Sequence, residues 1–143
     1  MPASPRFANA NTCQQKLGKI AFGLLTLGYV VQRQLDAYNR RDLDAWLATY
    51  AEDAQEYEFP ATLLASGHAQ IRARSAPRFT EPNLHARLIK RTVMGNIVID
   101  HEDVTRTFPE GPGHIELICI YEVRDGLIRN ASFVFGEKTL DKA

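Results

Sequence analysis

The spacing of apolar residues predicts two amphipathic helices near the start of the regular part of the chain. From about Thr26 to Asn39, apolar side chains recur every three or four positions, which is the repeat of one helix face. Asp42 is a suitable N-cap for a second helix, because its carboxylate can accept hydrogen bonds from the free amides of the next turn. The apolar positions between Leu43 and Tyr50 predict that this helix ends near Ala51.

A different pattern follows Asp53. Residues 54–59 alternate weakly and stop at Pro60, which has no amide hydrogen and therefore marks the end of a strand. Ser66-Gly67 predicts a turn, and a third helix is expected from about His68 to Phe79. Turn-forming sequences divide the rest of the chain into four predicted strands, which are Leu84 to Met94, Ile97 to Phe108, His114 to Val123 and Leu127 to Phe135.

This order of elements predicts an α+β fold, in which three helices pack on one face of a curved, mostly antiparallel sheet. Helices lying across the concave face of such a sheet leave a conical pocket, and pockets are where small-molecule chemistry is done. With 143 residues, the chain is long enough to bury one core, so we expect a single domain.

The net charge limits the partners expected for this chain, and the cysteines indicate its cellular location. The chain has 17 basic and 17 acidic side chains and a net charge of zero. A nucleic-acid platform or a binder of acidic membranes needs an excess of Lys and Arg, so we expect neither partner. The two cysteines, Cys13 and Cys119, do not suggest a disulfide scaffold, which favours a reducing, cytoplasmic location.

The N-terminal part of the chain differs from the remainder. Residues 1–15 show no repeat, and two lysines then precede a dozen apolar residues, as in an export signal. No cleavage site of small residues follows this run, and it is shorter than the roughly 20 residues that cross a bilayer. We therefore expect residues 1–27 to be an N-terminal extension and residues 28–143 to be the domain, with an export signal as the alternative.

Alternation along the strands identifies residues that could line the pocket. On the strand from His114 to Val123, one face carries only apolar, aromatic and thiol side chains, and this face is predicted to lie toward the helices. Ordinary core packing is the alternative role for each residue of the predicted lining. That lining consists of Tyr38, Trp46, Tyr50, Cys119, Tyr121, Phe133 and Phe135.

Glu58 lies at the end of the first predicted strand and is the first candidate for acid–base chemistry. If its side chain points into the cone, apolar walls would raise its pKa toward the range of a general base. The alternative is a solvated carboxylate at the rim, or one paired with Arg72 or Arg74.

His101 lies in an acidic strand, where it could form an acid–base pair with a neighbouring carboxylate or simply face solvent. Alternation places Asp100 and Glu102 on the opposite face from His101, so the three residues cannot bind one metal ion together. The chain also lacks the HExxH, CxxC and glycine-rich phosphate-binding motifs. We therefore expect neither a metal nor a cofactor.

Several short segments resemble the ketosteroid isomerases and SnoaL-like proteins of the NTF2-like superfamily. They are Val30–Arg33, Asn39, Asp42–Asp44, Ala51–Ala54, Ser66–Gly67, Ile71–Arg72 and Phe135–Lys138. The similarity spans roughly residues 27–143 and implies a cystatin-like cone. It also implies a homodimer formed through the outer face of the sheet, where the apolar residues Ile118 and Ile120 would otherwise be unexplained.

The resemblance also implies roles for individual residues. Glu58 corresponds to the aspartate that moves protons in the isomerases, and Gln34 corresponds to the tyrosine that hydrogen-bonds the substrate oxyanion. Cys119 replaces the protonated aspartic acid beside that tyrosine, and His85 corresponds to a position in the pocket wall, where it could act as an acid. Because two of the three functional groups are replaced, steroid isomerisation itself is not expected.

Two functions are therefore expected from the sequence. The first is a cofactor-independent isomerase, cyclase or dehydratase that acts on a substrate more polar than a steroid. The second is a non-catalytic module for ligand binding or dimerisation, since one scaffold in this superfamily hosts many functions.

Overall fold

The structure, a computed structural model, describes residues 27–142. The predicted N-terminal extension lies outside the described residues except for Leu27, and so does Cys13. A short 3₁₀ turn, Arg78–Thr80, follows the third helix. The helices are α1 (residues 27–39), α2 (Leu43–Leu47) and α3 (Gly67–Ser75). The strands are β1 (Tyr50–Glu58), β2 (Thr62–Ser66), β3 (His85–Met94), β4 (Ile97–Phe108), β5 (Gly111–Arg124) and β6 (Leu127–Leu140).

All six strands form one curved sheet in the order β2-β1-β6-β5-β4-β3. Only β1 and β6 are parallel, and every other neighbouring pair is antiparallel. The predicted α+β class, with three helices and a mostly antiparallel sheet, is confirmed. Among residues 27–142, no helix combines the length and apolar character that crossing a bilayer requires.

Side chains at both ends of α1 hold this helix against the sheet. The Asn39 amide donates to the carbonyl of Ala86 at 2.9 Å and accepts from the amide of the same residue at 2.8 Å. Near the other end, Arg91 of β3 donates to Gln32 Oε1 at 2.8 Å. These contacts fix the rotation of α1, so that Gln34 and Tyr38 lie toward the inner face of the sheet.

Helix α2 begins as predicted but ends four residues early. The Asp42 carboxylate accepts from the amide of Ala45 at 3.1 Å, which is the expected N-cap. The helix stops at Leu47, because the carbonyl of Thr49 accepts instead from the amide of Ile128 in β6, at 2.9 Å. The chain therefore joins the sheet at this point, and Tyr50 belongs to β1 rather than to a helix.

Strand β2 was not predicted. It pairs antiparallel with β1 and forms one edge of the sheet. Its sequence, TLLAS, does not alternate between apolar and polar residues, and its first two residues are exposed. A short edge strand needs little apolar surface, which explains why the pattern did not reveal it.

The core lies between the helices and the inner face of the sheet. Three aromatic rings from separate elements meet there, since the Trp46 ring lies 4.9 Å from that of Tyr50 and 5.2 Å from that of Phe79. Tyr38 contacts Phe79 edge-on, with ring centroids 5.4 Å apart. Such clusters bury large apolar areas and fix the positions of the polar atoms at the ring edges.

Candidate active site

A cavity of about 130 Å³ lies between the helices and the concave face of the sheet. Its walls combine apolar and polar side chains, and the polar ones include one carboxylate, Glu102, and three arginines. The apolar lining consists of Leu35, Trp46, Phe79, Val104, Leu117, Phe133 and Phe135. The polar lining consists of Gln34, Tyr38, Tyr50, Arg74, Ser75, Arg78, Glu102, Arg106, Cys119 and Tyr121.

Most of the residues predicted to line a pocket lie at this cavity, although their binding roles stay predictions. The eight residues are Gln34, Tyr38, Trp46, Tyr50, Cys119, Tyr121, Phe133 and Phe135. Strand alternation gave the positions on β5 and β6. Helical spacing gave Tyr38, Trp46 and Tyr50, although Tyr50 lies on β1, and the resemblance gave Gln34.

Glu58 does not line the cavity. It is the last residue of β1, and its side chain is exposed, so the expected orientation into the cone is not what the structure shows. Burial along β1 ends at Glu56, whose carboxylate accepts from Arg74 of α3 at 3.2 Å. The pairing of β1 with β2 also shifts register between Glu56 and Tyr57, just before the strand ends.

His85 also lies away from the cavity. It is the first residue of β3 and is exposed, whereas the next residue, Ala86, is buried against Asn39 of α1. Successive residues of a strand point to opposite faces, so the burial of Ala86 turns His85 outward. The expected position of His85 in the pocket wall is therefore a second correction.

Glu102 is the carboxylate that the cavity contains. It lies on the inner face of β4 and is buried, with one oxygen, Oε2, accepting from the thiol of Cys119 at 3.8 Å. The other oxygen, Oε1, has no hydrogen-bond partner within residues 27–142. Burial, and then the charge of Asp100, raise the pKa of Glu102 to about 7. A carboxyl group with this pKa can both accept and release a proton near neutral pH.

Glu56 is a second buried carboxylate, but it lies behind Arg74 rather than at the cavity surface. Burial raises the pKa of Glu56, and the neighbouring guanidinium of Arg74 opposes that rise. Arg74 also lies over the ring of Phe133, 5.9 Å from its centroid. The Glu56–Arg74 pair therefore forms part of the wall of the site.

Several other polar groups at the cavity are neutral. Burial raises the pKa of the hydroxyls of Tyr50 and Tyr121 and of the Cys119 thiol, so all three keep their protons at neutral pH. Gln34 Oε1, Trp46 Nε1 and the Tyr50 hydroxyl are buried without a partner in the described part of the chain. Buried polar atoms normally have partners, so these atoms are available to a polar ligand.

His101 faces away from this site. Its ring nitrogen lies 3.2 Å from Glu116 on the outer face of the sheet, whereas Asp100 and Glu102 point inward. An acid–base pair between His101 and either inward carboxylate is thereby excluded. No group of three or more His, Cys, Asp or Glu side chains within residues 27–142 is arranged to hold a metal ion.

Sequence reasoning missed Glu102, although β4 carries a signal for it. Asp100 and Glu102 have the same parity as Val98 and Val104, and both valines are buried. An apolar residue at each end of this series indicates an inward face. The cluster of charges between them obscured that pattern, because charge clusters usually lie on solvated faces.

Comparisons with known proteins agree with this fold. A model of the SnoaL-like domain matches residues 31–131. No curated protein matches the sequence.

Three solved structures with the same fold have low sequence identity to this chain. An uncharacterised cystatin-fold protein from Novosphingobium aromaticivorans is 22% identical over 76% of this chain and 97% of its own, with a TM-score of 0.69. A candidate polyketide cyclase from Sinorhizobium meliloti is 24% identical over 73% and 92% of the two chains, with a TM-score of 0.58. A candidate ketosteroid isomerase from Kribbella flavida is 18% identical over 84% of each chain, with a TM-score of 0.66.

Proposed function

We propose that this chain, which belongs to the SnoaL-like domain family, binds a small organic molecule in its cavity and moves a proton on it without a cofactor. The observation that carries the proposal is Glu102, a buried carboxyl group with a pKa of about 7 and one oxygen without a partner in residues 27–142. Perturbed acids in apolar cavities are typical of catalytic sites.

The proposed reaction is a proton transfer between two atoms of one substrate. The Glu102 carboxylate takes a proton from a carbon beside a carbonyl group, and the C–H electron pair moves toward the carbonyl oxygen to give an enolate. Hydroxyl and N–H donors at the cavity, such as those of Tyr50 and Trp46, stabilise that oxygen. Glu102 then returns the proton to a different carbon, so the net reaction is an isomerisation that needs no other reactant.

Gln34 keeps a supporting role in this proposal. It is buried on α1 at the cavity, and its Oε1 has no partner in the described part of the chain. Its amide group can donate as well as accept, as the sequence comparison with the isomerase tyrosine implied. Gln34 would therefore orient the substrate, while Glu102 moves the proton.

The size of the cavity limits the substrate. A volume of about 130 Å³ is similar to that of an engineered cavity of about 150 Å³ that holds benzene. The enclosed part of the site therefore suits a molecule of about one six-membered ring. This size supports a substrate considerably smaller than a steroid.

Two matched glutamine variants test the assignment of the base. A panel of small cyclic ketones and keto acids is first screened for turnover by proton–deuterium exchange with the wild-type protein. Glu102→Gln is expected to lower kcat at least about 100-fold, which is a typical contribution of a general base. Glu58→Gln, which changes an exposed carboxylate outside the cavity, is expected to retain full activity. Loss of activity in Glu58→Gln with retention in Glu102→Gln would reverse the assignment.

We further propose that the chain forms a homodimer through the outer face of its sheet. Partly exposed apolar side chains are adjacent on this face, because Ile99 pairs with Ile120 and Ile118 pairs with Val134. Light scattering should show a dimer for the wild-type protein and for Glu116→Gln, a polar change on the same face. Ile118→Glu should give a monomer, and a wild-type monomer at micromolar concentration would contradict the proposal.

A further inference from the structure

Two arginines at the cavity differ from the other buried or half-buried arginines of the molecule. Arg78 begins the 3₁₀ turn, and Arg106 lies on the inner face of β4, four residues beyond Glu102. Both line the cavity, together with Tyr38 of α1. Burial raises the pKa of the Tyr38 hydroxyl, and the positive charges of both guanidiniums oppose that rise. Arg78, Arg106 and Tyr38 are called the arginine cluster below.

Neither guanidinium of the arginine cluster forms an ion pair within residues 27–142. By contrast, Arg74 pairs with Glu56 and Arg91 pairs with Asp100. Arg78 Nη1 and Arg106 Nε are fully buried and have no hydrogen-bond partner in the same described part of the chain.

Nearby acidic groups do not neutralise the arginine cluster. Glu81 exerts a favourable charge on Arg106, but within residues 27–142 it forms an ion pair with neither arginine, and its carboxylate accepts from the backbone amide of Thr107 at 2.9 Å. Glu102 lines the same cavity, and it is largely protonated below its pKa of about 7. Residues 1–26 contain no Asp or Glu, so they cannot supply a side-chain carboxylate.

Two like charges held close together, each with part of its guanidinium buried, are unfavourable unless an anion joins them. Burial and the charge of Arg78 lower the pKa of Arg106, which reflects this cost. A planar carboxylate matches the paired N–H groups of a guanidinium, and each such charge-assisted hydrogen bond is stronger than a neutral one. A small organic anion would therefore satisfy the atoms that the protein leaves without partners.

We propose that the arginine cluster binds the carboxylate of the substrate, so that the substrate is a compact organic acid of about one ring. Arg106 and Glu102 lie on the same face of one strand, with Cα atoms about 13 Å apart, as four strand residues require. The anion is held at one side of the cavity, and the carbon that loses its proton lies toward Glu102. The role of Glu102 rests on the proposed function, whereas the anion site does not.

Calorimetric titration with benzoate and benzamide tests the site, because the two probes share one ring and differ in charge. Benzoate is expected to bind the wild-type protein at least about tenfold more tightly than benzamide. Arg106→Gln and Arg78→Gln are expected to weaken benzoate binding about 10- to 100-fold, as loss of a hydrogen bond to a charged group does. Arg87→Gln is the matched control, since Arg87 is exposed on β3 and pairs with Asp103.

Stability measurements keep this test independent of misfolding. Without ligand, Arg106→Gln should unfold at the same or a higher temperature than the wild-type protein, because the variant removes a half-buried charge that has no ion pair within residues 27–142. Arg106→Lys retains the charge but loses the planar fork, so it should bind benzoate with intermediate affinity. A folded Arg106→Gln variant with unchanged benzoate affinity would overturn the inference.

Two further outcomes are informative. Equal binding of benzoate and benzamide would show that the arginine cluster does not select an anion. Tighter binding of inorganic phosphate than of benzoate would overturn the assignment to a carboxylate.

Glu102→Gln separates this inference from the proposed function. It should retain or strengthen benzoate binding, because it removes a negative charge from the cavity. Intact benzoate binding with normal turnover in Glu102→Gln would refute the function and leave the anion site standing. Glu102-dependent turnover of neutral substrates, without benzoate binding, would refute the anion site and leave the proposed function standing.

Discussion

Two acidic residues on the inner face of β4 have contrasting environments. Asp100 is fully buried, and both of its oxygens accept from Arg91, at 2.7 and 2.8 Å. Glu102 lies two residues further along the same face, but it accepts only from a thiol and retains one oxygen without a partner in residues 27–142. The two residues share a strand, a face and an acidic side chain, so the contrast arises from their partners.

The contrast distinguishes a charged residue that stabilises the fold, Asp100, from one that is available for chemistry, Glu102. The Asp100–Arg91 pair extends to Gln32 and so joins α1 to β3 and β4. Its hydrogen-bonding capacity is used within the protein. Glu102 and the arginine cluster are also buried, yet part of their capacity is unused. Burial of a charged group is therefore a weaker sign of function here than burial without a partner.

The largest effect is expected from a substitution that breaks the Asp100–Arg91 pair. Asp100→Asn leaves the largely buried guanidinium of Arg91 without its counter-charge, and loss of one partner from a buried pair costs about 3–5 kcal/mol. The free energy of unfolding in urea should fall by this amount. Asp103→Asn is the matched control on the outer face, where the contacts of Asp103 with Arg87 at 3.4 Å and with His114 at 2.9 Å involve exposed partners and should each contribute less than about 1 kcal/mol. Equal losses in the two variants would remove the distinction between the regions.

Much of the fold could be predicted from the sequence. The spacing of apolar residues identified α1, and turn-forming residues gave the bounds of β4 as observed and those of β3 to within one residue. Strand β2 was missed, because a short edge strand has little apolar patterning. The end of α2 was misplaced, because a contact with Ile128, almost 80 residues away in the sequence, ends that helix.

The site could be predicted only in part, because alternation gives a face but not the depth of a residue. Cys119, Tyr121, Phe133 and Phe135 lie at the cavity as their strand positions indicate. Glu58 was expected there through the resemblance, but burial along β1 ends at Glu56, which contacts Arg74 of α3. Whether a residue at the end of a strand is covered depends on a distant helix, and a local pattern does not contain that information.

The arginine cluster could not be recognised from sequence spacing. Arg78 and Arg106 lie 28 positions apart, and only the packing of the 3₁₀ turn against β4 brings both to one cavity. Arg72 and Arg74 precede Arg78 in the chain, and each has an acidic partner in the structure. A run of arginines in a sequence does not show which of them is unpaired.

Glu102 is held as a buried acid without an ion-pair partner among residues 27–142, and the pH dependence of stability tests this without any substrate. The pKa of Glu102 is about 7 in the folded state, against an ordinary value of 4.5. Between these values the unfolded chain has released the proton and the folded protein still holds it. The free energy of unfolding of the wild-type protein must therefore decrease as the pH rises through this window, by up to about 1.4 kcal/mol per pH unit from this group.

Urea unfolding of the wild-type protein and of Glu102→Gln, from pH 4.5 to pH 8, isolates that contribution because other groups cancel in the difference. The stability of the variant relative to the wild-type protein is expected to rise steadily between about pH 5 and pH 7 and to level off above it. Parallel stability curves, or a relative stability of the variant that falls over this range, would contradict the account.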